Sequence, residues 1–140
     1  MLNALYAFGV AKVSRIDHRA GHEAVLQADA PRGRFSVVFE DDGDTGYFYG
    51  LDLASDASSG PIVDALHLYN VEAVADRQSA YPVEIRWAED RNRAGLFIAE
   101  RCQAVFDFDE KRAVSRSGFP PASGDFTWTH DWDEALTAGL

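Results

Sequence analysis

The chain has 140 residues, a formal net charge of −10 and a hydrophobic content of 46%. This length suits one domain, residues 1–140, and this hydrophobic content supports a core, which excludes an intrinsically disordered protein. Nucleic-acid binding is disfavoured, because the 13 basic residues are scattered among 23 acidic ones and a phosphate backbone requires clustered cations.

The compartment is indicated by what the sequence lacks. It contains no run of about 18 apolar residues, so no membrane span is expected. The segment starting at Met1 has no basic stretch leading into an apolar one, so no signal peptide is expected. Cys102 is the only cysteine, which excludes an internal disulfide and fits a reducing environment. We therefore expect a cytoplasmic protein.

The first predicted strand covers residues 22–28 and precedes a turn at residues 31–33. Residues 35–53 then give the strongest local signal, because Asp42-Gly43 between two aromatic runs is typical of a type I′ hairpin turn. With this turn, Val38 lies opposite Tyr47. Both faces of the hairpin are apolar, which indicates a pair of strands covered on both sides. One face carries Phe35, Val37, Phe39 and Phe48.

The tip of this hairpin is acidic. The predicted register places Asp41 opposite Asp44, a like-charge pair that destabilises a hairpin by about 0.2–1 kcal/mol unless the loop is longer. Solvated polar residues are the ordinary content of a hairpin tip. A functional alternative is an exposed acidic surface formed by Asp41, Asp42 and Asp44, which would attract a basic protein partner.

Residues 62–71 fit two structures. Pro61 suits the first position of a helix, and apolar residues follow at helical spacing. The same run also suits a strand buried on both faces, which we favour slightly. The choice matters for Asp64 and His67, because they share one face of a helix but point to opposite sides of a strand.

The second half of the chain predicts further strands with short connections. Residues 71–80 form a connection, and strands follow near residues 83–87, 96–100 and 104–108. Asn92 suits a left-handed turn position, and residues 116–124 form a loop. Asp131 and Glu134 have capping-box spacing for a short terminal helix. The sequence therefore predicts an α+β domain with a curved antiparallel sheet of about five to seven strands and one or two short helices.

Three segments carry a resemblance to a known family: FEDDGDTGYFY at residues 39–49, DALHLYN at 64–70 and AVFDF at 104–108. They resemble a small family of uncharacterised bacterial proteins, over most of the chain beyond about Gly21. The resemblance implies a bacterial, single-domain, soluble protein and carries over no catalytic residue. Gly50 stands where the family leads us to expect a bulkier residue.

Metal and cofactor sites are not expected. The acidic tip lacks the ligand spacing of a calcium loop, and the four histidines show no helical metal motif. Nucleophile elbows and phosphate-binding glycine loops are absent too, and Cys102 has little positive charge beside it. An enzymatic function is therefore not favoured, and His67 with Asp64 is the alternative catalytic pair.

Two functional hypotheses remain. The first is a non-enzymatic acidic interaction protein, for example an immunity protein that neutralises a basic toxin. The second is a small-molecule enzyme or ligand-binding domain with a pocket near Asp64 and His67. A deep pocket favours the second hypothesis, whereas a flat acidic face favours the first.

Overall fold

The structure is a computed structural model that describes residues 9–58, 60–121 and 128–140. Nine strands occur in these residues: β1 Val10–His18, β2 Ala24–Asp29, β3 Phe35–Asp41, β4 Thr45–Asp52, β5 Ile62–Asn70, β6 Tyr81–Ala88, β7 Arg93–Ile98, β8 Arg101–Asp107 and β9 Arg112–Ser115. Two short 3₁₀ helices, Val71–Ala73 and Glu134–Thr137, complete the described elements. None of the helices in these ranges is long and apolar enough to cross a membrane.

The strands form two antiparallel sheets. One has the order β1-β6-β7-β8-β9 and the other the order β2-β3-β4-β5. They pack face to face around an aromatic core, in which the ring centroids of Phe48 and Phe106 are 5.4 Å apart and those of Phe35 and Phe108 are 4.4 Å apart. Alternating residues of both sheets form this core, for example Val37 and Phe39 of β3 and Val83, Ile85 and Trp87 of β6.

The predicted α+β class is therefore wrong, although the antiparallel strands are confirmed. The protein is predominantly β, with two sheets in place of one sheet of five to seven strands. Its described helices have only three and four residues. In the terminal one, Asp133 accepts a hydrogen bond from the Ala135 N–H, so the capping residue is Asp133 and not Asp131.

The β3–β4 turn has Gly43 and Asp44 at its centre, not Asp42 and Gly43. The Asp42 N–H donates to the Thr45 carbonyl at 3.1 Å, and the Asp42 carboxylate accepts from the N–H groups of Asp44 and Thr45 at 3.0 and 2.9 Å. The side chain of Asp42 thus caps the turn. Gly43 has φ of 98°, which confirms the positive φ that the sequence requires at this glycine.

The register of this hairpin is consequently shifted by two residues from the predicted one. Val38 pairs with Tyr49, not Tyr47. A shift of two keeps every side chain on its predicted face, because side chains alternate with a period of two. Gly50 lies on the core face, where an added Cβ would be 2.9 Å from Phe106 ring carbons. The aromatic ring of the facing sheet therefore occupies the space that a bulkier residue would need.

Residues 62–70 form strand β5, as we favoured. The outer edge of β5 is partly covered, because the His67 N–H donates to the Phe119 carbonyl at 2.9 Å and the Ala65 N–H donates to its neighbour Asp64 at 2.8 Å. These bonds limit edge-to-edge association of the sheet.

Two strands, β1 and β9, were not predicted. The left-handed turn residues also differ, because Ala99, Glu100 and Lys111 are the described non-glycine residues with positive φ and Asn92 is not among them. Ala99 and Glu100 are the two central residues of the β7–β8 turn, since Ile98 pairs with Arg101.

Candidate functional site

A cavity of about 390 Å³ lies at one end of the sandwich, between the two sheets. Its walls come from the ends of β1, β5, β6 and β7, from β8, and from the connection that follows the first 3₁₀ helix. Most of the lining is apolar. The lining residues are His18, Ala20, Leu68, Tyr69, Val74, Ala75, Asp76, Tyr81, Val83, Ile98, Ala99 and Gln103.

The connection over the cavity is held by Asp76. Its carboxylate accepts hydrogen bonds from the Gln78 N–H at 3.0 Å, the Ser79 hydroxyl at 2.7 Å and the Tyr81 hydroxyl at 3.2 Å. The bond from the Ser79 side chain and the backbone bonds from Gln78 and Ser79 hold the pKa of Asp76 below its ordinary value. The polar ends of Asp76 and Tyr81 are thus used within the protein.

A buried polar network joins the cavity to the β3–β4 hairpin. One oxygen of Asp41 accepts from His18 Nε2 at 2.9 Å, from the Tyr69 hydroxyl at 2.8 Å and from the Gly21 N–H at 2.9 Å. The other oxygen accepts from the Gly43 N–H at 2.8 Å. The sequence places these donors on β1, β5 and two turns, and the side chain of Asp41 brings them together.

The Asp41 network favours an ionised carboxylate. Burial alone would raise the pKa of Asp41, but the hydrogen bonds from Gly21, His18, Gly43 and Tyr69 outweigh it and lower that pKa below its ordinary value. Burial, followed by the bond to Asp41 and the negative charge of Asp41, raises the pKa of Tyr69. Tyr69 therefore remains a neutral phenol that donates to Asp41.

Two polar groups of the cavity wall have no hydrogen-bond partner among the described residues. One is His18 Nδ1, on a residue whose exposed fraction is only 8% and whose Nε2 is already bound to Asp41. The other is the side-chain amide of Gln103, which is half-buried. These two groups are available to a molecule inside the cavity, whereas Tyr69, Asp76 and Tyr81 are engaged.

The three aspartates of the predicted acidic tip differ in their exposure to solvent. Asp42 and Asp44 are exposed. Asp41 is 1% exposed and points into the protein, so its predicted place on an exposed acidic surface is wrong. The physical reason is alternation along β3: Asp41 lies on the same face as Val37 and Phe39, which pack against the facing sheet.

Asp64 and His67 do not form a common site. Asp64 is buried and pairs with His130, whose Nε2 lies 2.6 Å from its carboxylate. The other ring nitrogen of His130 faces the Pro120 carbonyl. His67 points to the opposite side of β5 and lies 3.0 Å from the Asn70 side chain. A second cavity of about 340 Å³ is lined by Asp64 and His130, but both nitrogens of that histidine are occupied.

The remaining sequence candidates give no reactive centre. Cys102 is buried, and burial raises the pKa of its thiol to about 11, which opposes a reactive thiolate. Within residues 9–58, 60–121 and 128–140, no group of three or more histidine, cysteine, aspartate or glutamate side chains could hold a metal ion.

Sequence reasoning missed the three residues that define the cavity's polar end: His18, Tyr69 and Gln103. His18 and Tyr69 are separated from Asp41 by 23 and 28 positions, so no local spacing brings them together. The signal that the sequence offered was Gly46 itself, because a glycine inside a strand often marks a close approach. An added Cβ on Gly46 would be 2.4 Å from the Tyr69 ring, which shows that the glycine makes room for this tyrosine.

Comparison with known proteins identifies relatives. The model of a family described as "Uncharacterized protein conserved in bacteria (DUF2251)" matches residues 18–140. An uncharacterized protein of Haemophilus influenzae is 41% identical to the chain over 97 residues, which are 69% of this chain and 59% of that relative. The match thus spans less than two thirds of the relative's length. No solved structure matches the chain.

Proposed function

The chain belongs to this family of uncharacterized proteins conserved in bacteria, which confirms the resemblance and supplies no activity, so we propose a function from the cavity itself. The protein binds a small, mostly apolar organic molecule between its two sheets. The observation that supports this function most strongly is the cavity of about 390 Å³ with an apolar wall and a few convergent polar groups.

The size and chemistry of the cavity both support binding. Small-molecule sites typically have volumes of about 300–1,000 Å³, apolar walls and a small number of orienting polar groups. A dry engineered cavity of about 150 Å³ already binds benzene, so this cavity has room for a single aromatic ring or a short aliphatic chain. The proposed pocket differs from the predicted one, because it is formed at His18 and Tyr69 and not at Asp64 and His67.

The direct test is a titration of the protein with toluene and with phenol, followed by amide NMR spectra. We expect saturable shift changes for residues of the cavity wall such as Val83 and Ile98. Val74→Trp should abolish them, because the indole would occupy the cavity. Ala20→Leu is a second, smaller filling change for the case that the first variant does not fold.

The matched control is Val13→Trp, which adds the same side chain at an exposed position of β1, where Val13 is 51% exposed. This variant should bind both probes as the wild-type protein does. Two results would contradict the proposed function: no saturable change with either probe, or equal binding by wild-type, Val74→Trp and Ala20→Leu proteins.

We propose a second candidate function, docking of a basic protein, on the acidic end of the β3–β4 hairpin. Its exposed acids Glu23, Asp42, Asp44 and Glu72 lie within 4 Å of no cation in the described part of the chain. Unpaired surface acids accelerate encounter with a cationic partner. The single, free Cys102 agrees with a cytoplasmic site of action.

A lysine decapeptide is a suitable cationic probe. Its affinity for the protein should fall as salt rises, and the double variant Asp42→Asn with Asp44→Asn should bind it more weakly. The control carries the same loss of charge at Glu89→Gln and Glu110→Gln, two exposed acids outside the hairpin. Equal weakening in both double variants would show a general charge effect and refute docking at the hairpin.

A further inference from the structure

His18 has an asymmetric environment. Its Nε2 lies 2.9 Å from an oxygen of Asp41, and the hydroxyl of Tyr69 and the Gly21 N–H donate to the same oxygen. An ionised carboxylate can only accept hydrogen bonds, so Nε2 must carry the proton that joins it to Asp41. In a neutral ring this tautomer leaves the lone pair on Nδ1, the nitrogen without a partner among the described residues.

We propose that His18 Nδ1 accepts a hydrogen bond from the bound molecule, which assigns the ligand to apolar molecules with a hydroxyl or N–H donor, such as phenols, indoles and alcohols. This inference rests on the proposed binding function of the cavity. His18 lines the cavity, and its Nδ1 is not among the fully buried side-chain atoms that lack a partner, so this nitrogen keeps accessible surface that a bound molecule can reach. Asp41 orients the ring, as a carboxylate fixes the tautomer of many functional histidines.

The charges around the cavity oppose the binding of an anionic molecule, so the expected ligand is a neutral donor. None of the described lining residues is lysine or arginine. Asp41 and Asp76 place negative charge beside the cavity instead. A neutral apolar molecule with one donor can donate a hydrogen bond to His18 Nδ1 without burying a charge. The side-chain amide of Gln103 can bind a second polar group of the same molecule.

Phenol and toluene form a suitable probe pair, because they have similar shape and differ in the hydroxyl donor. In the wild-type protein, phenol should bind through a hydrogen bond that toluene lacks. His18→Gln keeps a donor toward Asp41 and removes Nδ1. We expect about a five-fold loss of phenol affinity and about the same toluene affinity, in keeping with one net hydrogen bond.

The control is His22→Gln, the same substitution at an exposed histidine that does not line the cavity. Imidazole ¹⁵N spectra add a signature that a purely structural role would not give. At a pH where the His18 ring is neutral, the free protein should show His18 protonated at Nε2 and unprotonated at Nδ1. Phenol should shift the Nδ1 resonance toward that of a hydrogen-bonded nitrogen, whereas toluene should leave it unchanged.

The outcomes separate this inference from the proposed function. If His18→Gln changes the affinities for toluene and phenol by the same factor, the assignment to hydrogen-bond donors is overturned and the cavity's binding function stays intact. The same holds if phenol does not move the Nδ1 resonance. A neutral His18 ring with its proton on Nδ1 would overturn the assignment as well. Absence of saturable binding by either probe would overturn both the function and the inference.

Discussion

Replacement of Asp41 by asparagine should destabilise the protein far more than the same change at its neighbour Asp42. The two carboxylates are adjacent in the sequence, but their surroundings differ. Asp41 is 1% exposed and accepts four hydrogen bonds, whereas Asp42 is exposed and accepts two from the backbone of its own turn.

The magnitude follows from these bonds. A hydrogen bond to a charged group contributes about 1.5–3 kcal/mol and a neutral one about 0.5–1.5, so three bonds on one oxygen lose about 3 kcal/mol in Asp41→Asn. The asparagine NH₂ must then face the Gly43 N–H, which leaves this half-buried donor unsatisfied at about 1–2 kcal/mol, the lower part of the range for such a loss. We expect a total near 4–5 kcal/mol, or a fall in Tm of roughly 12–20 °C. Asp42→Asn should change stability by less than about 0.5 kcal/mol, because its Oδ1 can keep both bonds.

Urea denaturation of the two variants, repeated over a pH series, measures this difference. The folded pKa of Asp41 is lowered, so its stabilising contribution is complete above the ordinary aspartate value of 3.8 and is lost as the pH falls through the folded value. The gap between wild type and Asp41→Asn should therefore shrink only in strong acid. Equal destabilisation by Asp41→Asn and Asp42→Asn at pH 7 would refute the network.

Three further variants test other parts of the structure. Gly43→Val should destabilise the protein by about 1–2 kcal/mol, measured by thermal unfolding, because φ at Gly43 is 98°; an unchanged Tm contradicts this turn. Glu100→Gly should raise stability by about 1 kcal/mol, because Glu100 has φ of 68°; a lower urea midpoint contradicts this. His130→Ala should cost about 3–5 kcal/mol by leaving Asp64 buried without its partner, whereas His67→Ala should cost much less; equal losses contradict the Asp64–His130 pair.

The faces of the hairpin were predictable from sequence, but its register was not. Apolar residues at alternate positions fix which side chains enter the core, and that pattern is read directly from residues 35–51. The register depends on which two residues occupy the turn. Asp-Gly and Gly-Asp both lie at this tip, and the side chain of Asp42, which binds the Asp44 and Thr45 N–H groups, favours the second pair.

The cavity could not be predicted, because its parts are distant in the sequence. His18 belongs to β1, a strand whose exposed Val10 and Val13 obscure the alternation that sequence reasoning uses. Asp41 was assigned to a solvated tip, since four of the five residues from Glu40 to Asp44 are acidic. Packing of the two sheets brings His18 to Asp41, whereas the pairing of β3, β4 and β5 brings Tyr69 to Asp41 across Gly46. No local rule contains these contacts.

A crystal structure of the protein determined with phenol would show whether the cavity binds a donor through His18. We expect one phenol in the cavity between the sheets, with its hydroxyl within hydrogen-bond distance of His18 Nδ1 and with His18 Nε2 still bound to Asp41. Phenol bound only outside this cavity, or bound inside it with its hydroxyl turned away from His18, would refute the proposed recognition.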